Sequence, residues 1–220
     1  MINKDYILRL AERIGRTMAI ILGLREADKL EDALIYIDEM LLQTTGLTSR
    51  FINSLSDEML IQALSPLGML DFDKCLWVAS LLKAEGDIYK AKDNGTESYY
   101  RYLRALNLFL AAQAQDRVMV QNEFFTDIDD LLQQLAEYEL PAHTKRKLIT
   151  YYELSGHYAK AEDILFELLE PDPTNPILRQ EGLDFYHRLL TKSNYDLQAG
   201  NLTHEEVEEG LNKLEGSSNL

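Results

Sequence analysis

Residues 151–176 read YYELSGHYAKAEDILFELLEPDPTNP, and this stretch decides the fold. Apolar residues recur in it at intervals of three and four, which is the period of a helix that buries one face. Ser155 and Gly156 interrupt the pattern, and Pro173 and Pro176 follow it. The stretch therefore predicts two helices joined by a tight turn. It leaves open whether they form one hairpin of an ordinary bundle or one unit of a repeat array.

Helical spacing extends over most of the 220 residues, which include only five prolines. The period-two alternation that marks a strand is almost absent. With 46% hydrophobic residues, a chain of this length can bury a sizeable core without cross-links. We therefore predict an all-α fold, with helices over residues 5–24, 72–92 and 118–139 among others, and with helix caps at Ser54 or Ser56 and at Thr96.

Charge, cysteine content and the first residues narrow the class of protein. The net charge of -15 repels nucleic-acid phosphates, which bind mainly to lysine and arginine, so we predict no nucleic-acid partner. Cys75 is the only cysteine, which excludes an internal disulfide and fits a reducing cytoplasm. The start of the chain lacks a signal-peptide pattern, and its apolar run at residues 18–24 is far shorter than the roughly 20 residues that span a bilayer. We expect a cytoplasmic protein that does not contact a membrane.

The opening stretch also carries a spaced set of small, aromatic and turn-forming residues. These are Tyr152, Gly156, Tyr158, Ala161, Leu165, Leu168 and Pro173. Their spacing resembles the tetratricopeptide repeat. In that pattern the glycine permits the turn, the tyrosine after it closes the turn, the alanine lets two helices approach, and the proline ends the second helix.

The same spacing recurs around Gly86, Tyr89, Tyr102 and Ala105, and more weakly between residues 24 and 40. The resemblance implies antiparallel helix pairs that stack into a right-handed superhelix with a concave binding surface. We predict one repeat domain over residues 1–200, followed by a C-terminal capping helix and flexible tail over residues 201–220. Thr203 and Glu206 have the spacing of a capping box at the start of that helix.

The whole chain has a second resemblance, carried by the opening DYILRLAERIGRTMAIILGL and by the segment INSLSDEML. Both segments resemble a family of uncharacterised bacterial proteins. This resemblance implies no activity, cofactor or substrate.

Residue patterns typical of catalysis or metal binding are absent from the sequence. No two of the four histidines have the i, i+4 spacing of a helical zinc pair, and no phosphate-binding glycine loop or nucleophile elbow occurs. Cys75 lies in an apolar helix and is predicted to be buried and inert. Asp184 and His187 share a helix face, a pair that favours a surface contact over acid–base chemistry. We therefore predict no catalytic residue, no metal and no cofactor.

Candidate binding residues come instead from two other patterns. Arg9, Arg13 and Arg16 recur at helical spacing in an otherwise acidic chain, and guanidinium groups hold carboxylates in a defined geometry. Tyr100 projects away from Tyr99 and Tyr102, which share one side of their helix. We expect these four residues to line a groove that holds a peptide, although the arginines can also form ordinary surface ion pairs.

Three hypotheses of function remain open. A cytoplasmic scaffold that binds a protein or peptide is favoured by the repeat pattern and by the missing catalytic motifs. A homo-oligomer that associates through an apolar end helix is the alternative, because terminal repeats must be capped or paired. An enzyme whose site assembles from distant helices, with Asp184 and His187, is the third.

Overall fold

The computed structural model describes residues 4–115 and 126–216. Within these residues every regular element is helical, which confirms the all-α prediction. The helices are α1 (Lys4–Glu26), α2 (Leu30–Thr45), α3 (Ser49–Ser54), α4 (Asp57–Ala63), a 3-10 turn (Pro66–Gly68), α5 (Phe72–Ala91), α6 (Gly95–Gln115), α7 (Thr126–Gln134), α8 (Ala142–Leu154), α9 (Tyr158–Leu169), α10 (Pro176–Leu189), α11 (Asn194–Ala199) and α12 (His204–Gly216).

The chain divides into two compact units, residues 1–139 and residues 140–220, called here the first unit and the second unit. This division lies at residue 139, and the predicted boundary between a repeat domain and a capping helix at residue 200 stays a prediction. The predicted capping helix, α12, packs on α10 within the second unit. It begins with the expected capping box, in which the backbone N–H of Glu206 donates to Thr203 Oγ1 and the backbone N–H of Thr203 donates to Glu206 Oε2.

Helix α5 lies at the centre of the first unit. It contacts α1, α2 and α6, so it is buried on nearly all sides and its apolar residues do not form a single stripe. Gly86 lies against the ring of Tyr102, where a Cβ atom would come within 2.7 Å of the ring carbons. Glycine at this position therefore permits the close approach of α5 and α6.

Short polar residues begin several helices of the first unit. Thr48, Ser56 and Asp71 accept hydrogen bonds from backbone N–H groups at the starts of α3, α4 and α5. Of the two serines predicted as caps, Ser56 caps α4, whereas Ser54 is the last residue of α3. At α6 the cap differs from the prediction, because Asn94 accepts from the backbone N–H of Glu97 and the helix begins before Thr96. Asn94 lies three residues before Glu97, which is the usual spacing between a capping side chain and the N–H group that it accepts from. Thr96 already lies inside the helix.

The predicted helix over residues 118–139 is only partly represented in the structure. Helix α7 ends at Gln134, and a turn follows it before α8. Residues 116–125 lie outside the described part of the chain. The sequence also gives no sign of α11, a six-residue helix that Ser193 begins by accepting from the backbone N–H of Asp196.

The second unit has its own apolar core, drawn from α9, α10, α11 and α12. Tyr158, Ala161, Phe185 and Tyr186 are all buried in it. Gly210 touches the ring of Tyr186, where a Cβ atom would lie 2.4 Å from the ring, so α12 and α10 pack closely. All of these core residues belong to the second unit.

The residues with repeat spacing occupy two helical hairpins, α5–α6 and α8–α9, each joined by three residues. Gly156 has a φ of +77°, a left-handed conformation that suits glycine and ends α8. Ala105 and Ala161 are fully buried, whereas Tyr89 and Tyr152 are half-buried and Pro173 is exposed after α9. Tyr158 packs against Gly200, a contact that fixes the start of α9 on the segment after α11.

Candidate functional site

A groove of about 1130 Å³ lies in the first unit between α2, α3, α5 and α6. We call it the polar groove, because charged and amide side chains form much of its lining. The residues that line it are Leu34, Ile35, Asp38, Glu39, Thr48, Ser49, Arg50, Asn53, Ser54, Glu85, Tyr89, Glu97, Tyr100, Arg101 and Arg104. Its most buried lining residues are Glu85 on α5, Ser49 on α3 and Arg101 on α6.

The floor of the polar groove is a buried carboxylate with both oxygens bonded. Glu85 is only 4% exposed. Ser49 Oγ donates to its Oε1 over 2.6 Å, and Arg101 Nε donates to its Oε2 over 3.1 Å. These two bonds join α5 to α3 and to α6 at one point.

Burial raises the pKa of the Glu85 carboxyl, because a charged group loses hydration inside the protein. Arg101 and the Ser49 hydroxyl act in the opposite direction and favour the carboxylate. Arg101 is itself 8% exposed, lies 2.8 Å from Glu97 Oε2, and has its guanidinium 5.2 Å from the ring centre of Tyr89. Two carboxylates and an aromatic face therefore hold this arginine in place.

The short helix α3 is fixed to the rest of the first unit by further polar contacts. Asp38 Oδ1 accepts from the backbone N–H of Ser49 over 2.6 Å, and Arg104 Nη1 donates to the carbonyl of Ile52 over 2.6 Å. Asn53 Nδ2 donates to the carbonyl of Ser49 over 2.9 Å. Asn53 Oδ1 is shielded from solvent, and within the described residues no donor reaches it. The wall of the groove therefore contains a buried acceptor that the fold leaves unused.

The rim of the polar groove carries groups that the fold itself does not use. Ile35 and Tyr100 are 59% and 55% exposed. Arg50 on α3 and Glu39 on α2 are exposed, and neither forms an ion pair with any residue in the part of the chain that the structure describes. The rim thus presents apolar surface together with one unpaired charge of each sign.

The four binding residues predicted from the sequence do not come together in one groove. Tyr100 lies at the rim of the polar groove. Arg13 lies 5.3 Å from the ring centre of Trp77 and lines a separate cavity of about 630 Å³. Arg16 pairs with Glu12 at 3.4 Å on the surface, and Arg9 is exposed. Helix α1 spreads the three arginines along its length and does not turn them towards α6.

The prediction missed the residues that form the floor and one wall of the polar groove. These are Ser49, Arg50, Asn53, Glu85, Arg101 and Arg104. A usable signal was present for two of them, because Glu85 and Arg101 are charges inside strongly apolar helical runs, LLKAEGDIY and YYRYLRALNLFL. A charge on a face that packing buries requires a partner, so such positions mark a polar network.

Groups that could carry out catalysis are scattered across the described residues. Cys75 is fully buried, and its thiol donates to the carbonyl of Leu108 over 3.3 Å. Asp184 and His187 are both exposed, and Asp184 accepts from Gln180 Nε2 over 2.9 Å. Over residues 4–115 and 126–216, no three His, Cys, Asp or Glu side chains are placed to hold a metal ion. Among the helices described, none combines the length and the apolar character needed to cross a bilayer.

Comparison with known proteins identifies the family of this chain but indicates no activity. No curated protein and no solved structure matches the sequence. The model of a family of unknown function, DUF6483, matches residues 1–219. The chain therefore belongs to the DUF6483 family of unknown function.

Proposed function

We propose that this protein is a binding module without catalytic activity, which holds an extended segment of another protein in the polar groove. The observation that carries the proposal is the contrast between the floor and the rim of the groove. The floor is fixed by the bonds of Glu85 with Ser49 and Arg101, whereas the rim offers apolar and charged groups that the fold does not use. A rigid floor beneath available side chains lowers the entropy that binding costs.

The rim chemistry indicates the kind of segment that fits. Ile35 and Tyr100 offer apolar surface for one side chain, and tyrosine is a common anchor in protein interfaces. Arg50 can bind a carboxylate and Glu39 can bind a basic group. Rotation of the Asn53 side chain would let its unused Oδ1 accept from a backbone N–H of the segment. We therefore infer a segment in which an apolar residue lies between an acidic and a basic one.

The resemblance to tetratricopeptide repeats supports the same reading. We propose that the hairpins α5–α6 and α8–α9 are degenerate repeats of this kind, in a right-handed superhelix. The contact of Gly86 with Tyr102 and the left-handed turn at Gly156 support this proposal, because such a repeat needs small and turn-forming residues at these places. Proteins built from such repeats bind extended peptides on a concave surface.

A crosslinking experiment tests the proposal. A photoreactive phenylalanine analogue replaces Tyr100 at the groove or Tyr195, which is 81% exposed on the second unit. We expect irradiation in the native cell to give a discrete adduct from position 100 and none from position 195. Mass spectrometry of the adduct identifies the segment, and fluorescence anisotropy with the corresponding synthetic peptide measures its affinity.

Two charge reversals provide the matched comparison. Arg50→Glu changes the rim of the polar groove, and Arg9→Glu changes an arginine on α1 that is also exposed. We expect Arg50→Glu to weaken peptide binding at least about tenfold, as for the loss of a charge-assisted contact plus repulsion, and Arg9→Glu to leave it unchanged. Equal effects of both reversals, or no adduct at position 100, would contradict a binding role for this groove.

Self-association is the second candidate, and exposed apolar residues on α1 favour it. Leu8, Ile20 and Leu22 are 57%, 49% and 43% exposed on this helix. A helix that exposes this much apolar surface can dock on its copy in a second molecule. Light scattering over a range of concentrations tests this candidate, which predicts a dimer that Ile20→Lys dissociates. A monomer at every concentration would exclude it.

A further inference from the structure

A second cavity in the first unit, of about 450 Å³, lies between α1, α5 and the start of α7. We call it the α1–α5 cavity. It shares no lining residue with the polar groove. Its α1 wall consists mainly of the apolar residues Ile14, Met18, Ile21 and Leu22, together with the charged Arg25. Gly15 and Ala19 lie between these side chains and leave the space open, because neither has a side chain long enough to fill it.

The opposite wall contains a hydroxyl group that the fold leaves without a partner. Ser80 on α5 lines the cavity and is only 6% exposed. Its Oγ atom is shielded from solvent and has no hydrogen-bond partner within the described residues. A buried hydroxyl in this state destabilises the folded protein unless a bound molecule satisfies it.

The charged residues of this wall, in contrast, already have partners. Lys83 Nζ lies 2.8 Å from Asp127 Oδ1 and 2.8 Å from Asp130 Oδ2. Asp87 accepts from Arg25 Nη1 over 3.2 Å and from the Tyr102 hydroxyl over 2.7 Å. An ionic ligand would have to compete with these pairs, whereas the free hydrogen-bonding group is neutral.

We propose that the α1–α5 cavity binds a small neutral molecule that has an apolar body and one hydrogen-bonding oxygen. The apolar body contacts the α1 wall, and the Ser80 side chain rotates about its Cα–Cβ bond so that its hydroxyl bonds to the oxygen. The cavity volume lies within the range of roughly 300–1,000 Å³ that is usual for small-molecule sites. The site is separate from the polar groove, so this proposal does not depend on the proposal that the groove binds a peptide.

A titration with 1-hexanol tests the site in the full-length protein labelled with 13C in its methionine methyl groups. Met18 lines the cavity, whereas Met59 and Met69 are exposed elsewhere on the first unit. We expect a saturable shift of the Met18 signal and no saturable shift of the other two. Hexanoate and hexylammonium should bind at least about tenfold more weakly, because burial of a charge is costly. No saturable Met18 shift with 1-hexanol, or equally tight binding of the charged analogues, would overturn the proposal.

Two glycine variants on the same helix provide a control for the site. A Cβ atom at Gly15 or at Gly23 would meet nothing within 4 Å, but only Gly15 lines the cavity. Gly15→Leu should fill the cavity and abolish the Met18 response, whereas Gly23→Leu should preserve it. Ser80→Ala should weaken hexanol binding about two- to tenfold, the usual effect of one hydrogen bond. A response that survives Gly15→Leu, in a variant whose other methionine signals are unchanged, would overturn the proposal.

Discussion

Glu85 is the residue on which the polar groove depends. Its carboxylate is buried in a mostly apolar helix and is stabilised by one hydroxyl and one guanidinium. The loss of hydration exceeds what these partners return, so the pKa of the carboxyl stays above its ordinary value of 4.5. A buried ion pair of this kind adds little net stability, but it fixes how three helices meet. The Glu85 ion pair therefore determines the geometry of the groove and adds little to its stability.

The raised pKa of Glu85 makes stability depend on pH. Between the unfolded and the folded pKa the folded state binds more protons than the unfolded state, so this residue's contribution to stability falls as the pH rises above 4.5. The Glu85→Gln variant lacks this titrating carboxyl, so its stability lacks this dependence on pH. We expect the unfolding free energy of the native protein minus that of Glu85→Gln to decrease as the pH rises from about 4.5 towards neutrality. Urea denaturation of both proteins at a series of pH values measures this difference.

An exposed carboxylate on the same groove provides the control for this prediction. Glu39 lies at the rim and is exposed, so its hydration changes little on folding. The corresponding difference for Glu39→Gln should lack the decline expected for Glu85→Gln. Parallel stability curves for the native protein and Glu85→Gln across the pH range would show that burial does not raise this pKa.

Among the secondary-structure elements, several helices begin at a short polar side chain that accepts a hydrogen bond from a backbone N–H group of the first turn. Asn175 is the fullest case, because its Oδ1 accepts from the backbone N–H of Ile177 and of Leu178, both over 3.1 Å. Pro176 follows as the first residue of α10, where its fixed φ suits a helix and its missing N–H is not needed. Both residues are of the types that sequence rules favour at the start of a helix, and α10 begins at this point.

Loss of the Asn175 cap should destabilise the second unit measurably. We expect Asn175→Ala to lower the free energy of unfolding by about 1 kcal/mol, since two N–H groups of α10 lose their acceptor. Asn175→Asp retains an acceptor oxygen and should stay within about 0.5 kcal/mol of the native value. Chemical denaturation followed by circular dichroism compares the two variants. An equal loss in both would mean that the amide acts through some contact other than the cap.

At the scale of the whole molecule, the chain forms two compact units, each with its own core. In each unit a glycine permits a close contact between two helices, Gly86 against Tyr102 in the first and Gly210 against Tyr186 in the second. Both tyrosines are buried, and each donates from its hydroxyl to a carboxylate, Asp87 or Glu162. Neither ring can therefore move aside at low cost to make room for a larger residue.

This arrangement predicts that damage to one core stays within its unit. Gly210→Val should destabilise the second unit by about 1–3 kcal/mol through overpacking against Tyr186. Hydrogen exchange followed by mass spectrometry should then show faster exchange in α9, α10 and α12 and unchanged exchange in α5 and α6. Gly86→Val should give the reverse pattern. Faster exchange throughout the chain in either variant would indicate that the two units unfold as one.

The sequence by itself determined the local features of this protein. Spacing at three and four residues specified the all-α class, Gly156 specified the turn between α8 and α9, and Thr203 with Glu206 specified the start of α12. These features involve neighbours within about one turn of chain, so the pattern that encodes them is visible in a short window.

Only the tertiary structure decided which distant residues meet. Glu85 joins Ser49, 36 positions away, to Arg101, 16 positions away, while the predicted Arg9, Arg13 and Arg16 remain apart from Tyr100. The division at residue 139 was likewise absent from the sequence pattern. Helical spacing specifies which face of a helix is apolar, but not which helix covers it or in which register. Contacts between helices follow from how all the side chains pack together, and that choice is not encoded in any single stretch.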